Sequence, residues 1–178
     1  MSGLIRCFRH DRRGVGALEF ALILPVMLTA VLGSVQVFLL ARAKMLTVAA
    51  ARNIADLVSQ QDSVTAATIS DFCIAGRLSM QPLSSATLKA AVASVGYSSA
   101  ASAPTIVWSD GTCGSVARIA TAATLAKSVV VANGDSAIVI CATYTLALPI
   151  SFPLGSSFAL TGTAVARPRN GTAVAYGS

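Results

Sequence analysis

From Phe20 to Leu40 the chain carries no charged residue, and nothing later combines such length with so little punctuation by Gly, Ser or Pro. At 1.5 Å per residue this run makes a helix about 31 Å long, enough to cross a bilayer core of roughly 30 Å. The pattern predicts one transmembrane helix. Residues 41 to 61 contain no Gly or Pro, and Leu46, Ala50, Ile54, Leu57 and Val58 recur at three- and four-residue steps on one face. The membrane helix should therefore continue outward as a single rod to about residue 60.

Beyond the rod, Ser63 as an N-cap and Pro82 as a stop frame a second helix, and "SSATLKAAVASVGY" reads as a third, capped by Ser84 or Ser85 and ended at Gly96. The character then turns to strands. "APTIVWSDG" is a β-branched run closed by a turn, and "SVVVANGDSAIVICATYTL" sets two β-rich runs about Asn133-Gly134, a dipeptide favoured in hairpin turns. On the second run Ile138, Ile140, Ala142 and Tyr144 share one face, and Val139, Cys141 and Thr143 the other. "FALTGTAVA" adds a strand, "GYSSAASAP" reads as a linker and "RPRNGTAVAYGS" as a frayed tail. The expected fold class is α+β: a transmembrane helix running into a long helix, further helices, and an antiparallel sheet of three or four strands packed on it.

Composition sharpens this picture. The chain is 54% hydrophobic and 11% charged, with a mean hydropathy of +0.72, too apolar for an ordinary soluble domain. Arg6, Arg9, Arg12 and Arg13 against Asp11 make the short upstream tail the denser basic flank, although Arg42, Lys44 and Arg52 follow the helix. The positive-inside rule then puts the N-terminus in the cytoplasm and the remainder outside the inner membrane, periplasmic or extracellular. The apolar core is too long for a conventional signal peptide, and no small-residue cleavage site follows "LLARAK".

The basic balance, a pI near 9.6, shows no basic stripe with interleaved aromatics, so no nucleic-acid partner is expected. Cys7 falls in the tail, while Cys73, Cys113 and Cys141 fall in the exported part. An oxidising compartment permits one disulfide and a spare thiol. Cys73 with Cys113 is the first pairing to consider, because Cys113 lies in the loop-like "DGTCGS"; the alternative is that all three are small buried residues.

Catalytic chemistry is sparse. His10 is the only histidine, no glutamate follows Glu19, and Asp56, Asp62, Asp71, Asp110 and Asp135 stand singly. There is no imidazole base for a nucleophile, no metal-ligand cluster and no evident carboxylate pair. No enzymatic activity, metal or cofactor is expected.

Glu19 is the residue this leaves unexplained, since an ionised carboxylate at the mouth of a membrane span is expensive. One reading is a first-turn acid favoured by the helix dipole and wet at the headgroups. The other starts from its surroundings: Gly14, four residues, Glu19 and then an apolar helix, preceded by arginines, resembles a prepilin-peptidase site. Cleavage would fall at Gly14–Val15 on the cytoplasmic side, and Glu19 could then meet the freed α-amino group of a neighbouring subunit.

"RRGVGALEFALILPVMLTAVLGSVQ" is also similar to the N-terminal signature of the TadE/TadF-like family, minor pseudopilins of the Tad (Flp-type) pilus system. Gly14, Glu19, Phe20, Ala21, Leu24, Pro25 and Gly33 carry the resemblance, and Ala50-Ala51-Arg52 extends it. Looser echoes are Trp108-Ser109, Tyr144-Thr145 and Arg167-Pro168-Arg169. The family often has a second acid in the helix where this chain has Gln36, and "LLAR" replaces its usual Gly-Arg exit.

The resemblance implies a leader at 1–14 removed by a prepilin peptidase. It also implies a transmembrane and extended helix at 15–60, with about 17–40 in the membrane, and an extracytoplasmic α+β domain at 61–178. Partners would be other pilin-like subunits and the pilus assembly machinery, engaged through Glu19, Phe20, Pro25, Gly33 and Gln36, in adhesion or secretion. Pro25 reads as a mild bend, Gly33 with Ser34 as an optional close contact, and Gln36 as bonding a neighbouring subunit or lying near the outer interface. Trp108 reads as packing. The rival reading is an uncleaved, single-pass membrane-anchored binding protein of the cell envelope.

Overall fold

The computed structural model describes residues 15–114, 116–171 and 173–177. Helix α1 runs Val15–Ser59 without a break, carrying Pro25 inside it. It is the one helix among the described residues long and apolar enough to cross a membrane. After it come β1 (Ser63–Val64), α2 (Ala66–Leu78), β2 (Lys89–Ser98), β3 (Ala103–Asp110), a 3-10 turn at Ala117–Thr121 and α3 (Ala122–Leu125). Strands β4 (Ser136–Ala147), β5 (Ser157–Ala166) and β6 (Ala175–Tyr176) complete the chain. The class is α+β, as the pattern predicted.

Two compact units share α1. The first is α1 up to Leu39 with the segment Leu148–Ser156; the second is the rest, from Leu40. In the second unit β3-β2-β4-β5 form a four-stranded antiparallel sheet. One face meets α1: a Cβ on Gly162 would lie 2.8 Å from the Thr47 carbonyl oxygen, and Gly162 pairs with Ala142. Ala43, Thr47, Ala50, Ile54 and Val58 are buried along that helix. Leu46 and Leu57, expected on the same stripe, are half-buried beside it. The opposite sheet face, with Ala91, Ala93, Val95, Ala137, Val139 and Cys141, packs against Val116, Ala122, Ala126 and Val130.

Four expectations are corrected. The second helix begins later than Ser63, which lies in β1: Thr65 is the N-cap, its side chain accepting from the Thr68 amide, and the helix ends at Leu78, before Pro82. The third helix is strand β2. Its alanines favour a helix, but β2 lies between β3 and β4 with both faces covered, and a near-continuous apolar run is what such a strand requires.

The Asn133-Gly134 turn joins no hairpin. Val129 and Val130 amides donate to Ala126 O, extending the helical turns, and the Asp135 carboxylate accepts from Val131 N and Ala132 N. Strand β4 already has β2 and β5 as neighbours, so no edge remains for the 128–132 run.

The tail is also docked rather than frayed. β6 pairs parallel to β1, Arg169 N donates to Ser59 O and Ala175 N to Asp62 O, and Val174 is buried. The small-residue stretch read as a linker is the end of β2, a short turn at 99–102 and the start of β3.

Candidate assembly helix and the loop it holds

The N-terminal half of α1 is apolar on nearly every side and almost bare. Leu18, Phe20, Leu22, Val26 and Met27 are each at least 63% exposed, so burial of this surface must come from lipid or from other chains. Glu19 sits exposed among them and forms no ion pair among the described residues. Val15 opens the helix; Gly14 and the rest of the expected leader lie outside the described residues. Phe20 and Pro25 lie exposed along this bare stretch.

The upper part of the same unit is different. Gln36 is buried, 4% exposed. Its Nε2 donates to Ile150 O at 2.6 Å and to Phe152 O at 3.0 Å, while its Oε1 accepts from Leu154 N at 3.1 Å. Both donors of the amide and its oxygen are thus spent on one loop, Leu148–Ser156. The loop closes on itself through Leu148 N to Ser156 O and Gly155 N to Ser151 O. Gly33, one turn below, faces Pro153: a Cβ there would stand 3.6 Å from its Cγ. Gly33 and Gln36 therefore come together, on the chain's own loop. Within the chain, the Gln36 amide thus acts as an intramolecular clamp on this loop. A carboxylate at 36 could not donate to two carbonyls, so glutamine rather than an acid suits the loop.

Sequence reasoning missed the loop. Its signal was present: "LPISFPLG" is an apolar connection without a charge, against the usual polar composition of surface loops. Ile150, Phe152 and Leu154 are 47%, 57% and 48% exposed.

In the second unit Cys73 and Cys113 form a disulfide with Cα atoms 6.0 Å apart, tying α2 to the loop after β3. Cys141 is a buried free thiol, and burial pushes its pKa up. Trp108 Nε1 donates to Val174 O at 2.8 Å, and its ring lies 5.1 Å from that of Tyr176. The indole is packing that holds the C-terminal segment. Lys44 Nζ donates to Thr161 O, and Arg118 Nη1 to Thr161 Oγ1 at 3.1 Å, so both cations are held on β5.

A family model described as TadE-like protein matches residues 14–56. No curated protein and no solved structure matches the chain. The match takes in Gly14, Glu19, Phe20, Pro25, Gly33 and Gln36 and ends near the close of α1. It supports involvement in the Tad pilus system, with pilus subunits as partners and association with a membrane. Over residues 14–56, then, the chain is similar to the TadE-like family.

Proposed function

We propose that the protein is a minor pseudopilin or assembly subunit of a Tad-type pilus or secretion system, acting by assembly and not by catalysis. It sits in the bacterial inner membrane with its N-terminus in the cytoplasm and its α+β domain outside. A prepilin peptidase cuts Gly14–Val15. A glycine, having no side chain, lets the backbone approach the protease, and the arginine-rich leader rests on the anionic cytoplasmic face.

The new α-amino group at Val15 supplies the partner that Glu19 needs near hydrocarbon, on a neighbouring subunit whose helix stacks on this one. Apolar helix contacts supply most of the remaining binding. The observation that carries the reading is the family match beginning at Gly14, on a helix whose N-terminal half is largely exposed among the described residues. That the chain acts as a structural subunit rather than an enzyme rests on its single, tail-located histidine and its scattered acids.

N-terminal sequencing of the protein from native membranes, beside a strain lacking the prepilin peptidase, tests the proposal. The expected result is a start at Val15 that disappears in that strain. An intact start at Met1 or Ser2 in both strains would instead make the protein an uncleaved membrane anchor.

A further inference from the structure

We infer that the Leu148–Ser156 loop is a second membrane-contacting element, its tip residues Ile150, Phe152 and Leu154 inserted into the outer margin of the bilayer beside α1. The inference rests on the reading of residues 17–40 as the membrane span.

Depth comes from the sequence of α1. If the hydrocarbon core, roughly 30 Å thick, begins at Phe20 beside Glu19, it ends near Leu40, just before Arg42. Gln36 then lies about 6 Å inside the outer edge, and the loop it grips is brought to the same depth. An unpaired side-chain amide there would be costly, and so would irregular backbone. Such backbone is tolerated at membrane depth only where its polar groups are satisfied within the protein.

Much of the loop's polar backbone meets that condition, the Ile150, Ser151 and Phe152 amides being left to the headgroup side. Ile150 O and Phe152 O accept from Gln36, and Leu154 N donates to it. Leu148 N and Gly155 N are bonded inside the loop, and Pro149 and Pro153 have no N–H to satisfy.

The side chains argue in the same direction. No charge interrupts the chain from Ala147 to Ala166, and three large apolar residues project from the tip, each about half exposed. Close helix–helix contacts in membranes favour small residues. An isoleucine, a phenylalanine and a leucine are shaped for lipid, as in interfacial elements that bury an apolar edge among headgroups and upper acyl chains. The loop belongs to the same compact unit as the bare stretch of the membrane helix, and Ile150 lines a small apolar cavity with Leu32, Val35 and Leu39.

The test is tryptophan quenching in the full-length protein, reconstituted in phosphatidylcholine vesicles at a dilution where it is monomeric. Phe152→Trp and, separately, Val31→Trp are made, and the unsubstituted protein gives the Trp108 background. Lipids brominated high or low on the acyl chain serve as quenchers. The expected result is that the added Phe152→Trp emission is largely lost with the shallow bromines and less affected by the deep ones. Val31→Trp, near mid-span, should show the reverse order.

A Phe152→Trp emission quenched no more than Trp108, with Val31→Trp still quenched, would overturn the loop inference and leave the membrane span standing. Loss of quenching at both positions would overturn the span reading and the inference with it. Leu154→Trp repeats the loop measurement should the Phe152 variant fail to fold.

Discussion

Tyr176 donates a 2.6 Å hydrogen bond from Oη to Asp110 Oδ2, joining the last strand to the end of β3. Burial alone would raise the Asp110 pKa. The bond from Tyr176 and those from Thr112 outweigh it and hold the carboxyl below its ordinary value. A carboxylate depressed in the folded state contributes stability that is present above its unfolded pKa and is lost as pH falls through its folded pKa.

The window for acid destabilisation therefore opens near pH 4 and extends downward. Asp135 adds to it in the same direction, its carboxylate bonded by the Val131 and Ala132 amides. The same bond raises the Tyr176 pKa, so its contribution is present at neutral pH and lost as pH rises beyond about 10. Tyr176→Phe should lower the melting temperature at pH 7 and flatten both limbs of the profile. Thermal melts of the full chain in detergent from pH 2.5 to 11 measure this; a mutant profile parallel to the wild type would sink it.

Two glycines separate a rigid contact from a soft one. A Cβ on Gly162 would stand 2.8 Å from Thr47 O, 3.0 Å from Thr47 C and 3.1 Å from Val48 N, all backbone of α1. A Cβ on Gly76 would meet mainly the Ile54 tip, at 2.6 Å from Cδ1. Gly162→Ala must push the helix off the sheet and should cost about 1–3 kcal/mol. Gly76→Ala needs only a new Ile54 rotamer and should cost about 1 kcal/mol, the order of an off-rotamer side chain. Denaturant titration of both variants gives the ranking, and equal losses would refute it.

The Cys73–Cys113 bridge closes 40 residues of sequence. Cys73→Ser with Cys113→Ser together should lower stability by about 2–4 kcal/mol. Cys141 should resist alkylation in the folded protein and react on unfolding, since burial both hides it and disfavours its thiolate. Rapid alkylation of the native Cys141 would contradict the packing of that sheet face.

Gln36→Leu removes three hydrogen bonds at one stroke and leaves Ile150 O, Phe152 O and Leu154 N without their partner. Each buried group so stranded costs about 1–3 kcal/mol, and release of the loop relieves that cost. Limited proteolysis should then find a new cut between Leu148 and Ser156, while circular dichroism keeps the helix signal. Gln36→Glu should behave alike, because a carboxylate has no N–H to give. An uncut loop in both variants would show that packing by Pro153 and its neighbours holds it without the amide.

Local patterning was enough for the elements that neighbouring residues define. A charge-free run and a three-to-four periodicity are properties of neighbouring residues, and they specified α1 nearly to its last turn. The spacing Gly14 to Glu19 and "EFALILP" pointed to the family that matches residues 14–56. Packing of the whole chain settled everything that depends on partners far apart in sequence. "KAAVASVGYS" reads as a helix in isolation and is a strand because β3 and β4 flank it and both its faces are buried. The turn at Asn133-Gly134 is real, with Gly134 at φ +92°, yet it joins no hairpin because β2 and β5 take both edges of β4. Gln36 finds its partners 114 to 118 residues away. Periodicity records which face of an element is apolar; what covers that face is settled only when the whole chain competes to bury it.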